Sequence, residues 1–142
     1  GMRKANETNF GKAVIPSYHF ENTEVTVAFN ADFLGTWLMP VTFAKQYSKG
    51  RKLKNGQTKM SRHYQFETNL SLSGANADSR YQMKPSEEAA ILLKLYNEIA
   101  KNTGNTVTAG PAVATKVSKV AKDLLNAKGK SLVVSGTNDV QI

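Results

Sequence analysis

Glu24-Val-Thr-Val-Ala-Phe-Asn30, followed directly by Ala31-Asp-Phe-Leu-Gly35, is the stretch that decides the fold class of this chain. Its first part is a run of apolar and β-branched residues, which is typical of a parallel strand buried on both faces. A carboxylate and a glycine follow, as at a strand end that opens into a ligand crevice. We therefore predict a strand over residues 25–30, with Asp32 and Gly35 as candidate crevice residues. The alternative is that Asp32 only caps the next turn.

A second run of the same kind lies near the end of the chain. Ser131-Leu-Val-Val-Ser135 predicts another buried strand and leads into Gly136-Thr-Asn-Asp139. An α/β sheet does not normally stop where its next helix should begin, and Gly1 before Met2 is typical of a cloning remnant. We therefore expect an internal piece of a longer protein. Residues 1–20 are expected to be a flexible or extended lead-in, and residues 21–142 a single α/β domain.

Shorter elements are predicted between these two strands. Pro40 suits the first turn of a helix over residues 40–49. Alternating residues predict short strands over 62–68 and 80–84, with a polar loop over 69–79 between them. The residues of the helix expected to face the core are Val41, Ala44 and Tyr47.

Two longer helices are predicted before the last strand. Ser86 is a good N-cap, Glu87 and Glu88 suit the first turn of the helix that follows, and Gly104 ends it. A second helix is expected over residues 111–128. Their expected core-facing residues are Ala89, Leu92, Leu93, Tyr96, Ile99 and Ala100 in the first, and Val113, Val117, Val120, Ala121, Leu124 and Leu125 in the second. The order of elements predicts an α/β fold of three layers, a largely parallel sheet flanked by helices.

Composition excludes several kinds of site. The chain has 142 residues, a formal net charge of +8 and no cysteine. It can therefore hold no disulfide and no cysteine-ligated iron–sulfur cluster, and it cannot supply a cysteine nucleophile. No apolar window approaches the roughly 18 residues that a transmembrane helix needs. His19 and His63 are isolated and lack the spacing of a zinc site.

A basic cluster surrounds residues 50–56 and consists of Lys49, Arg51, Lys52, Lys54, Lys59 and Arg62, with Asn55-Gly56 as a turn. It is interpreted as a solvated loop or as a surface that docks an acidic partner. Nucleic acid is the less favoured partner, because aromatic residues are not interleaved with these charges. A second polar segment, Gly74-Ala-Asn-Ala-Asp78, could approach a phosphate closely or be an ordinary loop, and no G-x-G-x-x-G motif occurs.

Five segments in order resemble the molybdopterin oxidoreductases, and within them the large iron–sulfur subunit of alternative complex III, a quinol:electron-acceptor oxidoreductase of Bacteroidetes-type bacteria. The segments are Phe29-Asn-Ala-Asp-Phe-Leu-Gly35, Met60-Ser-Arg-His-Tyr-Gln-Phe-Glu67, Leu70-Ser-Leu-Ser-Gly-Ala-Asn-Ala-Asp78, Pro85-Ser-Glu87 and Lys130-Ser-Leu-Val-Val-Ser-Gly136. The resemblance covers most of residues 20–142. It implies that the chain is a fragment of a doubly wound, molybdopterin-enzyme-like region of a parent oxidoreductase subunit.

The resemblance also implies a role. The fragment would be a structural or interaction domain in a respiratory quinol-oxidising complex, on the extracytoplasmic side of a membrane. Other subunits would be its partners, it would contact no nucleic acid and insert into no membrane, and iron–sulfur clusters would lie elsewhere in the parent. Lys84-Pro-Ser-Glu87 stands where true molybdopterin enzymes have Pro-Gly-Thr-Asp, which implies that the pterin is lost. The alternative is the cofactor cleft of an active molybdopterin enzyme. The crevice residues are expected to be Asp32, Gly35, Gly74, Asn76, Asp78 and Ser86.

Overall fold

The computed structural model describes residues 1–53, 56, 58–140 and 142. Four strands form one parallel sheet in the order β3-β2-β1-β4. In chain order the elements are α1 (Met2–Phe10), β1 (Val25–Phe29), α2 (Pro40–Arg51), β2 (Arg62–Glu67), α3 (Leu72–Ala75), β3 (Ser79–Gln82), α4 (Glu88–Thr103), α5 (Ser118–Asn126) and β4 (Ser131–Ser135). Short 3₁₀ turns at Phe20–Asn22 and Pro85–Glu87 precede β1 and α4.

The sheet has a separate apolar core on each face. Alternate side chains of β1 point to opposite faces, and all five are buried. Val27 and Phe29 belong to the core formed with α4 and α5, whereas Ala28 packs with Phe33 and with Phe43 of α2. The chain is therefore an α/β protein of three layers, and the predicted fold class is confirmed.

The N-terminal segment differs from the extended or flexible lead-in that we expected over residues 1–20. Met2–Phe10 form a helix, which ends at Gly11 with a φ of 69°. No residue of this helix is buried. Its polar sequence lacks the apolar stripe that would have predicted a helix, so its pattern resembled that of an unstructured segment.

The helix predicted over residues 111–128 begins only at Ser118. The preceding residues are held as an irregular strap over α4 by polar contacts. Lys94 Nζ donates to Val113 O at 2.7 Å and to Thr115 O at 3.0 Å. Asn97 donates to Thr108 O and accepts from Thr108 N. These partners come from another helix, so the local sequence could not reveal them.

The predicted core-facing stripes of α2 and α4 are wrong in part. In α2 the side chains of Phe43 and Tyr47 are buried, whereas Val41 is 84% exposed. In α4 the buried apolar residues are Ala90, Ile91, Leu95 and Ala100, of which Ala100 was expected; Leu92 and Ile99, also expected, are partly buried and pack against the same core. Apolar residues lie on several sides of α4, and contact with the sheet and α5 selects the face that is buried. The stripe of α5 is confirmed at Val117, Val120, Ala121 and Leu124.

Two expectations fall outside the part of the chain that the structure describes. These are Lys54 of the basic cluster and Asn55 of the predicted turn. Among the helices of the described residues, none has both the length and the apolar character required to span a bilayer.

Candidate functional site

The topology identifies where a ligand crevice would lie. From β1 the chain moves one way across the sheet to β2 and β3, and it then returns to place β4 on the other side of β1. The direction therefore reverses between β1 and β4, and α/β proteins bind ligands at the carboxyl ends of strands beside such a point. Asn30, Asp32 and Glu67 lie at this carboxyl edge, at the ends of β1 and β2.

Asp32 lies at this carboxyl edge, as predicted, and its carboxyl group accepts hydrogen bonds from other residues of the same chain. Oδ1 accepts from the backbone N of Ser73 at 2.9 Å and from its hydroxyl at 2.8 Å. Oδ2 accepts from the Thr36 hydroxyl at 3.3 Å, and the carbonyl of Asp32 accepts from the backbone N–H of Gly35. A Cβ at position 35 would clash with the Asp32 carboxyl group, so Gly35 allows this tight turn.

Glu67 is the central residue of the edge, and the sequence analysis did not single it out. It is 2% exposed. Oε1 accepts from Arg80 Nε at 2.5 Å and from Ser71 N at 3.2 Å, and Oε2 accepts from the Ser71 hydroxyl at 2.6 Å. A Cβ at Gly74 would collide with this carboxyl group. Its position near the end of the strand predicted over residues 62–68 was the available signal, since a charge there needs partners when it is buried.

Asn30 and Glu88 form a third polar pair at the same edge. Asn30 adopts a left-handed conformation with a φ of 47°. Its amide donates to Glu88 Oε2 at 2.8 Å and accepts from Thr68 N at 3.1 Å. Glu88 is 6% exposed, and its Oε1 is buried without a hydrogen-bond partner among the described residues. Glu88 lies in the first turn of α4, as predicted, and its side chain is buried there.

The structure does not bring the six predicted crevice residues together. Asp32, Gly35 and Gly74 lie at the carboxyl edge. Asp78 bonds instead with the first residues of β2, at the opposite edge: its Oδ2 accepts from His63 N at 2.7 Å. Asn76 lies in the connection between the two edges, where its amide donates to Leu72 O.

Ser86 is not the N-cap that we predicted. It lies inside the 3₁₀ turn Pro85–Glu87, is exposed, and makes no hydrogen bond through its side chain within the described residues. α4 begins two residues later, and Glu87 bonds back to the backbone N of Lys84 at 3.2 Å. The 3₁₀ turn displaces the helix start, so Glu87 and not Ser86 occupies the N-cap position of α4.

A buried polar network on the α2 face links the two edges. Tyr47 OH lies 3.2 Å from His63 Nδ1, and His63 Nε2 lies 3.0 Å from Gln65 Oε1. Burial lowers the pKa of His63 to about 4 and raises the pKa of Tyr47 to about 12. Both side chains are therefore neutral at physiological pH. The structure places the side chain of His63 in the core.

Several basic residues lie at the amino edge of the sheet. A groove of about 840 Å³ lies there between the start of β1, the start of β2 and α5. Lys59, Arg62 and Lys119 line it together with Glu24 and Asp123. Beside it, Arg51 makes a bidentate ion pair with Asp78, at 2.6 and 2.9 Å. Three cations thus line the groove at the amino edge beside two carboxylates, whereas the carboxylates of Glu67 and Glu88 are buried at the carboxyl edge.

No protein-family model matches this sequence, and no curated protein matches it. Within the described residues, no group of three or more His, Asp or Glu side chains is placed to hold a metal ion. A functional assignment for this chain therefore depends on the geometry of its own residues and on the segmental resemblance.

Replacing Asp32 by alanine tests whether this carboxylate is structural. The change leaves the buried N–H and hydroxyl of Ser73 without their acceptor. We expect the free energy of unfolding, measured with urea, to fall by about 2 kcal/mol. Thr36→Ala is the matched control, because it removes only the 3.3 Å contact, and we expect a loss below about 0.5 kcal/mol. An unchanged stability of Asp32→Ala would restore Asp32 as a ligand-binding candidate.

Proposed function

We propose that this chain is a structural, interaction-bearing domain of a molybdopterin-oxidoreductase-like iron–sulfur subunit, and that it holds no pterin. The parent would act in a respiratory quinol-oxidising electron-transfer complex. In this proposal the chain performs no chemistry itself, and its partners are other subunits on the extracytoplasmic side of the membrane. The iron–sulfur clusters would be held by cysteines elsewhere in the parent.

The polar network at the carboxyl edge is the observation that supports the absence of a pterin. A ligand in this crevice would need donors and acceptors that face it. The oxygens of Asp32 and Glu67 instead accept from the chain's own groups, mainly those of Ser71 and Ser73. α3 therefore occupies the space in front of β1 and β2. These residues fit a closed edge and do not fit an open cradle for a nucleotide.

The turn after β3 supports the same proposal. The resemblance aligns Lys84-Pro-Ser-Glu87 with the Pro-Gly-Thr-Asp turn of true molybdopterin enzymes. Glycine there allows the backbone to approach a ligand closely, and here Ser86 adds a side chain. Glu87 is engaged with the backbone of Lys84. The turn is thus closed by a hydrogen bond between its own first and last residues.

One observation favours the alternative, a cofactor-cleft domain of an active molybdopterin enzyme. Glu88 Oε1 is a buried carboxyl oxygen without a partner in the described part of the chain. Such an atom is rare, because leaving it unpaired is costly. An N–H donor from a bound group could satisfy it. Glu88 and Asn30 would then be the residues of this chain that face the group.

Metal analysis and mass spectrometry of the purified full-length parent test the proposal. We expect iron without molybdenum and without released pterin. A known molybdenum enzyme, purified and extracted in parallel, is the control that shows a pterin would have been detected. Stoichiometric molybdenum with pterin would contradict the proposal and favour the alternative. Asp32, Glu88 and Ser86 would then be the first residues to mutate.

A further inference from the structure

We infer that the groove at the amino edge, lined by Lys59, Arg62 and Lys119, binds an extended acidic segment of a partner protein. The inference rests on the interaction role in the proposed function and adds the site and the chemistry of the partner. It does not depend on whether a pterin is bound at the opposite edge. The observations that support the inference are the contacts of the charged side chains in the groove.

The anions of the groove are already engaged. Glu24 Oε1 lies 2.7 Å from Lys130 Nζ, and Asp123 Oδ2 accepts from Tyr64 OH at 2.5 Å. Lys59 and Lys119 are exposed, and neither pairs with a carboxylate within the described residues. Glu24 is thus paired with a lysine outside the groove, and Asp123 acts on Arg62, whereas Lys59 and Lys119 are the groove cations without an ion-pair partner among the described residues. Such a surface attracts an acidic partner and speeds its association.

The shape of this surface suits an extended chain. Residues 59–62 run between the groove and a second hollow of about 400 Å³, which is lined by Arg51 and Asp78. The two hollows share Lys59, Met60 and Arg62. Met60 is 49% exposed between them and offers an apolar contact beside the cations. A segment that lies along residues 59–62 would place its acidic groups near Lys59 and Lys119 in the groove, because Arg51 of the second hollow is already paired with Asp78.

The lining of the groove distinguishes a protein partner from a nucleic acid. Single-stranded nucleic acids are held by exposed aromatic rings on which bases stack, in addition to basic residues. No Phe, Tyr or Trp side chain is among the described residues that line the groove. Tyr64 lies beneath Arg62, whose guanidinium carbon is 5.9 Å from the ring centroid, and so is covered rather than offered to a base. The observations therefore favour an acidic polypeptide.

Binding of a fluorescein-labelled synthetic peptide of alternating glutamate and serine tests the inference, with fluorescence anisotropy as the readout. We expect the affinity for the peptide to decrease as salt is added. In the double variant Lys59→Glu/Lys119→Glu the affinity should fall about tenfold or more, because two attractions become repulsions. Lys12→Glu/Lys45→Glu is the matched control: it changes the net charge equally with exposed lysines outside the groove, and we expect a change within about twofold. The neutral pair Lys59→Gln/Lys119→Gln should give an intermediate loss. Circular dichroism checks that all variants fold.

Three outcomes would overturn the inference: no binding of the peptide, equal losses in both charge-reversed variants, or tighter binding of single-stranded oligothymidine than of the peptide. The second would mean that net charge alone attracts the peptide. The third would mean that the partner is a nucleic acid. Molybdenum in the parent would contradict the proposed function and would leave this binding result unchanged, so the two failures are distinguishable.

Discussion

Replacing Glu67 by alanine is expected to lower the free energy of unfolding by about 3 kcal/mol, because it removes one partner of a buried ion pair. Arg80 loses its carboxylate, and the backbone N and hydroxyl of Ser71 lose their acceptor. α3 is then no longer held against the end of β2. Urea unfolding followed by circular dichroism measures the effect. Glu7→Ala is the control, since Glu7 pairs with Lys4 on the surface, and a loss below about 0.5 kcal/mol is expected there.

A double-mutant cycle with Gly74 separates this mechanism from a general loss of packing. Gly74→Ala alone should cost about 2 kcal/mol, because the added methyl group must displace the Glu67 carboxylate from its donors. In the Glu67→Ala background the same methyl group meets no carboxylate. We therefore expect the two changes to be non-additive by about 1 kcal/mol or more. Additive effects would show that Glu67 and Gly74 do not act on each other as the structure describes.

Acid is expected to destabilise the protein between pH 6.5 and 4 through His63. The folded protein holds the pKa of His63 at about 4, mainly because burial disfavours the charged ring, whereas an unfolded chain restores the ordinary value of 6.5. Between these values the unfolded state binds more protons, so stability is greatest above pH 6.5 and is lost as the pH falls. The full loss corresponds to about 3 kcal/mol. Urea titrations at a series of pH values measure it.

The variant His63→Gln identifies the group responsible for this pH dependence. Glutamine stays neutral in both states, so the slope between pH 6.5 and 4 should flatten even if stability at pH 7 is lower. Val41→Gln is the control and should leave the slope unchanged, because Val41 is 84% exposed and carries no titratable group. Asp78 affects stability in a lower pH range. Burial opposes its ionisation, but hydrogen bonds from Arg51 and His63 N lower its pKa overall. The stability that the ionised Asp78 contributes is therefore lost below about pH 4. An undiminished slope in His63→Gln would contradict the assignment.

The position of Asp32 was predicted correctly, but the hydrogen bonds of its carboxylate were not. The sequence placed Asp32 at the carboxyl end of β1, and the structure confirms that position. It could not show that the Asp32 carboxylate bonds to Ser73, because 41 residues separate them. Glu67 was missed for the same reason, since its partner Arg80 lies on the neighbouring strand. A pattern of residue types along the chain does not encode such pairings.

Elements with a local signal were predictable from the order of residues alone. The apolar, β-branched run of β1 is typical of a strand buried on both faces, and all five residues of β1 are buried. The similar run over 131–135 predicted a strand correctly but its burial wrongly, because β4 lies at the edge of the sheet, where Val133 is 44% exposed. Pro40 and Gly104 marked the start of α2 and the end of α4. The tertiary structure alone decided which face of α4 is buried, where α5 begins, and that α3 closes the carboxyl edge. These features depend on hydrogen bonds and packing between distant residues, whose free energy appears only when the chain has brought them together.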